Sequence, residues 1–281
     1  MNKDTIYDEN LTNDDYHADD AISRSQVMSM RKSPAHYYYR NLSGLYSHKE
    51  VPPIITSASP LGFGNAAHTF ILEKDKFLSE YHVYAQKHKR TTKEGKAEFA
   101  ECEKEAGDRQ IISLDSVDIL HGMSNAINSD VTANALIQGV PETSFFWTDK
   151  ETGFRLKSRP DILNLEGEFI TDLKTVRSAD ARTFQHEVYD YGYHLQAAMQ
   201  QIAVKEVLGI EIKDFYYVAV EKEMPYAHTT YKLDDSYLEI GHTEFRSLLN
   251  KIAKCKELND WPSYDMQIIA PPKYIIDRVF N

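Results

Sequence analysis

The chain has 281 residues, of which 42% are hydrophobic and 27% are charged, enough for one large or two modest domains. No stretch approaches the ~20 uninterrupted apolar residues of a membrane-spanning helix, and the acidic start lacks the apolar core of a signal peptide, so a cytoplasmic protein is expected. The net charge of -11 excludes a uniformly basic surface for DNA, because phosphate contacts need Lys or Arg.

Residues 1–22 are predicted to be a flexible lead-in, and residues 23–281 a single domain, because no Gly/Ser/Pro-rich linker divides them. Helical periodicity predicts helices near Ser25–Tyr39, Gly64–Glu73, Lys93–Ala106, Leu114–Asn128, Val131–Gln138, Ala181–Tyr189, His194–Leu208 and Ser236–Lys256. Strands are predicted near Glu142–Thr148, Arg155–Leu165, Glu168–Lys174, Asp214–Glu221 and His228–Lys232. This mixed order predicts an α/β fold with a central mixed sheet flanked by helices.

The most informative segment is GFRLKSRPDILNLEGEFITDLK, in which Glu-Gly-Glu is a predicted hairpin turn. Two strands joined there would bring Asp161 and Asp172 together at one end of a sheet. Asp172 and Lys174 alternate with Leu173, so they share a face. Two carboxylates and an ammonium on one face suit phosphodiester cleavage with a divalent metal. A surface ion-pair cluster is the alternative for these residues.

Two flanking helical segments add candidate site residues. His68 lies in an apolar run with small neighbours, where it is either a metal ligand or a packed core histidine. Gln196 lies one position from the apolar stripe of its helix, so it either faces the sheet end or is an ordinary polar surface residue.

Local basic clusters offer contacts for DNA despite the acidic total. Arg155, Lys157 and Arg159 alternate along one predicted strand, so all three share a face. Lys89 and Arg90 belong to a second cluster, with Lys87, Lys93 and Lys96. A solvated charged face is the alternative in each case. The tyrosines at 37–39 and at 189, 191 and 193 are mostly core and interface residues, of which one or two could stack on an unpaired base.

The two cysteines, Cys102 and Cys255, form no C-x-x-C motif and are expected to be reduced thiols. Two cysteines cannot supply the four thiolates of a typical iron–sulfur cluster, so no cluster is expected.

The order of these motifs resembles the PD-(D/E)xK nuclease superfamily. Within it, the chain resembles the RecE-type (exonuclease VIII-like) phage and prophage exonucleases. The motifs that carry the resemblance are GNAAH, the strand ETSFFW, RPD, DLKT and YHLQAA, with ISRSQV, SPAHYY and RTTKEGK as weaker support. The resemblance runs from about Ser23 to Ala198, and the C-terminal third follows only the general pattern.

The resemblance implies a restriction-endonuclease-like core and assigns roles to individual residues. The metal ligands it implies are His68, Asp161, Asp172 and the main-chain carbonyl of Leu173. It places Lys174 as the catalytic lysine and Gln196 as the residue that positions the attacking water or the phosphate. Glu142 matches an upstream acidic position that also occurs in lambda-type exonucleases, and Ser25 within ISRSQV is expected to contact DNA.

The implied activity is that of an exodeoxyribonuclease that uses Mg²⁺, or Mn²⁺, to degrade linear duplex DNA from an end. By resemblance, the polarity is 5′-to-3′, the products are single strands for recombination, and the chain forms a closed homo-oligomeric ring that works with a single-strand annealing protein. The resemblance also places the protein in a bacterial host cell, encoded by a phage or prophage. Spacing and composition leave open a structure-specific or restriction-like endonuclease, and a non-cleaving protein of nuclease fold that binds DNA or a recombination partner.

Overall fold

The computed structural model describes residues 5–47 and 52–280. The strands are β1 (Ile6–Asp8), β2 (Tyr81–Tyr84), β3 (Gln110–Ser113), β4 (Val140–Pro141), β5 (Ser144–Thr148), β6 (Arg155–Ser158), β7 (Ile162–Asn164), β8 (Phe169–Val176), β9 (Asp214–Glu221) and β10 (His228–Lys232). The helices are α1 (Asn13–Ala18), α2 (Arg24–Lys32), α3 (Pro34–Asn41), α4 (Pro60–Leu72), α5 (Phe77–Glu80), α6 (Lys93–Ala106), α7 (Leu114–Ser129), α8 (Val131–Leu136), α9 (Ala181–Asp190), α10 (Tyr193–Leu208), α11 (Asp235–Leu258) and α12 (Lys273–Phe280).

A five-stranded mixed sheet lies at the centre, in the order β10-β9-β8-β7-β4, with β8 and β9 parallel and the other pairs antiparallel. Apolar side chains project from both faces of this sheet. On β9, Phe215 and Tyr217 join the core that contains α10 and α11, whereas Val218 and Val220 join the core that contains α4 and α7. A strand that is apolar on both faces belongs inside a sheet covered on both sides. The predicted α/β fold with a central mixed sheet is confirmed.

The segment predicted as one strand, Arg155–Leu165, is two strands in two sheets. β6 pairs with β5 in a smaller three-stranded sheet, and β7 pairs with β4 and β8 in the central sheet. The break falls at Pro160, whose ring nitrogen has no hydrogen to donate to a strand ladder. Asp161 therefore sits where the chain passes from one sheet to the other.

The acidic N-terminal segment contacts the smaller sheet at several of its described residues, although we expected a flexible lead-in over residues 1–22. β1 pairs with β5, with Ile6 opposite Phe146. Tyr16 and Ala21 are buried in a small cluster with Phe146. The high charge of the segment obscures these few apolar positions, which are enough to attach it to the smaller sheet.

The helix predicted over Ser25–Tyr39 divides at Pro34 into α2 and α3. Ser33 is extended and its Oγ accepts a hydrogen bond from the His36 N–H at 3.2 Å, so it caps α3 as Pro34 opens the helix. Three predicted elements match their observed bounds, namely α6, β9 and β10. Within the described ranges, no helix combines the length and apolar character needed to cross a membrane.

Candidate active site

The β7–β8 hairpin brings the two predicted aspartates together. Ile162 pairs with Thr171, which sets Asp161 beside Asp172. The Leu173 N–H donates to Asp161 Oδ2 at 2.8 Å, so the backbone of β8 fixes this carboxylate. Leu173 packs in the α4/α7 core, and the alternation of the strand turns Asp172 towards α10. The juxtaposition predicted from the hairpin is confirmed.

Three potential metal ligands converge at the edge of the central sheet. His68 reaches from α4, and its Nδ1 lies 3.4 Å from Asp161 Oδ2 and 3.8 Å from Glu142 Oε1. One ligand atom from each of the three residues lies within 4.8 Å of the others. An imidazole and two carboxylates at this spacing can share one divalent cation.

Glu142 lies in this group through an unusual backbone conformation. It was predicted to begin a strand, but β5 starts at Ser144, and Glu142 has a φ of 48°. Its N–H donates to the Asp161 carbonyl at 3.0 Å, which ties the two acidic residues together through the main chain. Holding a glutamate at positive φ costs free energy. Residues strained in this way cluster at functional sites.

Lys174 and Gln196 surround the Asp172 carboxylate. The Lys174 ammonium contacts Asp172 Oδ2, the Gln196 amide donates to Asp172 Oδ1, and Lys174 Nζ donates to Gln196 Oε1 at 3.3 Å. The fully buried Oδ2 is therefore paired with the Lys174 ammonium. Buried charges in proteins are paired with an opposite charge or coordinate a metal.

Burial and neighbouring charges both shift the pKa values of the groups in this cluster. Burial raises the pKa of Asp172 to about 6, and the nearby Asp161 carboxylate adds to the rise. Burial opposes ionisation of Asp161, but the charge of His68 holds the pKa of Asp161 below its usual value. Burial also raises the pKa of Glu142. Burial disfavours the charged imidazole, yet the two neighbouring carboxylates raise the pKa of His68 well above its usual value. A bound divalent cation would stabilise the ionised forms of these neighbouring acidic groups.

The donor set fits Mg²⁺ or Mn²⁺, because carboxylate oxygens are hard ligands and Mn²⁺ also accepts an imidazole. His68, Glu142 and Asp161 are the residues grouped most closely for this purpose, and the Asp172 carboxylate lies next to Asp161. The family resemblance implies a catalytic role for Glu142 but does not include it among the metal ligands. The main-chain carbonyl of Leu173 stays a predicted ligand.

The basic strand predicted to contact DNA has another role. Lys157 is buried and donates to the main-chain carbonyls of Tyr16 and Asp19 at 2.6 and 2.7 Å. Arg155 pairs with the Asp19 carboxylate at 2.7 Å, and Arg159 donates to the Leu11 carbonyl at 3.1 Å. All three hold the N-terminal segment. Burial removes Lys157 from a DNA-binding surface, whereas Arg155 and Arg159 stay predicted DNA contacts. Sequence spacing cannot show which partner a basic strand face meets.

Three other residues predicted to contact DNA are exposed. Lys89 and Arg90 lie on the surface before α6, with the Arg90 guanidinium 4.1 Å from the Phe99 ring. Ser25 is exposed at the start of α2. Their role with DNA stays a prediction.

Arg24 is the neighbour of Ser25 that sequence reasoning missed. Its guanidinium donates to the Tyr191 carbonyl, and its Nε is buried without a hydrogen bond among the described residues. Burial lowers the pKa of Arg24, while the Asp172 charge opposes that effect. A guanidinium near Asp172 adds positive charge to the region where a phosphate would bind. The only sequence signal was that Arg24 lies within ISRSQV.

Known proteins share the family and the fold of this chain. A family model described as "PDDEXK-like domain of unknown function (DUF3799)" matches residues 23–268. The comparison with curated proteins gives no match. The crystal structure of a "Putative exonuclease" from Eubacterium rectale is 14% identical, with a TM-score of 0.58 over 96% of this chain and 98% of that chain. A second structure, SSO0001, is 13% identical over 83% of this chain and 86% of that one, with a TM-score of 0.29.

Proposed function

The chain belongs to the PDDEXK-like family DUF3799, and we propose that it is a divalent-metal-dependent deoxyribonuclease that shortens linear duplex DNA from an end. One observation carries the proposal. The buried Asp172 carboxylate lies between the Lys174 ammonium, which contacts its Oδ2, and the group formed by His68, Glu142 and Asp161. An ion pair that only stabilises the fold does not need the neighbouring imidazole and carboxylates. Metal-assisted hydrolysis of a phosphodiester uses such groups to hold the metal.

Mg²⁺ or Mn²⁺, held by His68, Glu142, Asp161 and Asp172, would supply Lewis-acid stabilisation of the phosphoryl oxygens. The protein's own groups complete the site. Lys174 lies on the strand face that carries Asp172, where its ammonium can orient an attacking water and offset negative charge in the transition state.

Gln196 and Arg24 position the reacting groups in this proposal. The Gln196 side chain spans Asp172 and Lys174, so it fixes the lysine relative to the carboxylate. The charge of the Arg24 guanidinium, which lies close enough to Asp172 to interact with it, attracts a phosphate of the strand that enters the site. Removal of Arg24 should therefore weaken DNA binding more than metal binding.

Action from an end, with 5′-to-3′ polarity, rests on the resemblance to RecE-type exonucleases. The described "Putative exonuclease" from E. rectale has a similar fold and is consistent with that choice. A structure-specific or restriction-like endonuclease would use the same carboxylates and lysine, and a binding protein of nuclease fold would need neither metal nor Lys174.

Linear and covalently closed circular duplexes of one sequence distinguish these functions when each is incubated with the protein and Mg²⁺. Loss of the linear form alone is expected. Loss of both forms would establish an endonuclease, and survival of both would favour the binding protein. Lys174→Ala, purified in parallel, should leave both substrates intact, which excludes a contaminating nuclease. End-labelled strands with one blocked 5′ or 3′ terminus then report the polarity.

A further inference from the structure

We propose that Tyr191 is a stacking platform for an unpaired nucleobase, so that the DNA strand entering the site is single-stranded next to the scissile phosphate. This inference rests on the proposed function, and it adds the form of DNA that the site accepts. Tyr191 lies in the turn between α9 and α10, and 55% of its surface is exposed. An exposed, flat aromatic ring binds any base through its π-face.

The position of Tyr191 places its ring next to the candidate catalytic lysine. Lys174 Nζ lies 4.6 Å from the centre of the Tyr193 ring, and the Tyr193 and Tyr191 rings are 5.7 Å apart. One aromatic ring therefore separates Tyr191 from Lys174. A base stacked on Tyr191 would have its phosphate near Arg24, whose guanidinium lies 6.0 Å from the Tyr193 ring.

The turn that carries Tyr191 is held in place from several sides. The Tyr191 N–H donates to the Glu187 carbonyl at 2.9 Å, and its carbonyl accepts from the Arg24 guanidinium. Gly192 follows with a φ of 65°, and a Cβ there would lie 2.4 Å from Met28 Sδ. A side chain at residue 192 would therefore displace the end of the Met28 side chain and strain the backbone. The ring is presented by a fixed backbone, which reduces the entropy lost when a base binds.

Two features around the turn favour a nucleic acid over an apolar partner. Gly192 supplies no side-chain cap to α10, and the first turn of that helix carries no acidic residue. The positive end of a 16-residue helix therefore faces the region of Tyr191. The Arg24 guanidinium, which donates to the Tyr191 carbonyl, adds positive charge at this turn, whereas Arg31 is paired with Glu244 at 2.8 Å. Aromatic surface beside positive charge is the combination that binds single strands.

Tyr189 is the neighbouring aromatic that does not fit this role. It is 49% exposed, but its ring is stacked on His194 at 5.3 Å and also contacts Arg31. His194 is buried and bonded to Glu244 at 2.8 Å, so Tyr189 covers a structural cluster. Tyr191 has the freer face, and the proposal is specific to it.

The test measures binding of a fluorescent single-stranded oligonucleotide in Ca²⁺, which is expected to occupy the site without turnover. A single abasic nucleotide is moved along the strand. One position near the bound end should weaken binding to the wild-type protein by about 5- to 100-fold, the range for one base on an aromatic ring. Tyr191→Ala should lose a similar factor and become insensitive to the abasic nucleotide at that position. Tyr191→Phe should retain wild-type binding.

Tyr274→Ala is the matched control, because Tyr274 is 72% exposed on α12, outside this turn. It should bind like the wild type, and thermal melts should show that all variants fold. The proposal is overturned if Tyr191→Ala binds the intact strand like wild type, or if its abasic penalty persists. Should the wild type fail to cut linear DNA and yet show the Tyr191-dependent abasic penalty, the proposed nuclease activity fails while the stacking site stands.

Discussion

At the residue scale, Lys174 is the side chain on which the proposed chemistry depends most. It contacts the buried oxygen of Asp172, and stabilisation by a fixed ammonium is larger in the transition state than in the ground state. Lys174→Ala should therefore lower the single-turnover cleavage rate by roughly two or more orders of magnitude, with little change in DNA affinity. Lys213→Ala is the control, since Lys213 pairs with Glu168 on the surface of the same sheet. Near-normal rates for Lys174→Ala at saturating Mg²⁺ would remove Lys174 from the mechanism.

His68 is the residue whose two interpretations differ most clearly. As a ligand it should contribute to metal affinity, because it lies against both Asp161 and Glu142. We expect His68→Ala to weaken Mn²⁺ binding by about ten- to a hundredfold or more in calorimetric titration. Mutation of residues that only hold a metal ligand in place already lowers metal affinity by about ten- to a hundredfold. His82→Ala, which removes a histidine paired with the exposed Glu105, should leave Mn²⁺ affinity unchanged. Equal Mn²⁺ affinities for the His68 variant and the wild type, with a lowered melting temperature, would make His68 a packing residue.

At the scale of elements, the N-terminal segment and β6 form one structural unit through Lys157. Burial lowers the pKa of this lysine, but its two carbonyl acceptors hold the ammonium in place. Lys157→Ala leaves both carbonyls without that donor and should destabilise the protein by roughly 1–3 kcal/mol in urea unfolding. Its DNA affinity should equal that of the wild type. A weaker affinity with an unchanged unfolding midpoint would restore Lys157 as a DNA contact.

The β5–β6 hairpin is joined to α11 by a two-bond ion pair. Arg246 donates to both Asp149 oxygens, at 3.0 and 2.7 Å, and Thr152 donates to Oδ2 as well. Burial opposes the charge on Asp149, but these donors hold its pKa below the usual value. The stability from this pair is present above the unfolded pKa of ~3.9 and is lost as pH falls through the lower folded pKa.

Asp149→Asn should therefore lower the free energy of unfolding at pH 7 by about 1–3 kcal/mol. It should also flatten the acid side of the stability profile below pH 4. Denaturant unfolding between pH 3 and 7 measures both effects. An acid profile identical in shape to that of the wild type would show that Asp149 has no depressed pKa.

At the scale of the whole molecule, the net charge of -11 opposes DNA binding except where basic residues cluster. We propose, from the RecE-type resemblance, that identical chains close into a ring around DNA and that a single-strand annealing protein acts on the product. A ring needs a heterologous interface whose rotation closes. Sedimentation at micromolar concentration should show a discrete oligomer, and monomer alone, with and without DNA, would contradict the ring. That residues 23–281 form one domain also stays a prediction.

The sequence by itself determined the hairpin, the shared face of Asp172 and Lys174, and the mixed central sheet. The hairpin and the shared face follow from short-range rules, since a turn and the two-residue repeat of a strand are set by neighbouring residues. The mixed sheet follows from the order of the predicted strands and helices. It also predicted α6, β9 and β10 with their observed bounds.

Only the tertiary structure decided which residues meet across long stretches of chain. It assigned Arg155, Lys157 and Arg159 to the N-terminal segment, although they alternate along a strand as a DNA-binding face would. It also brought Glu142 to His68 through a positive φ, and Arg24 to the turn at Tyr191. A charged side chain takes its role from the partner it finds, and the sequence does not state which distant segment supplies that partner.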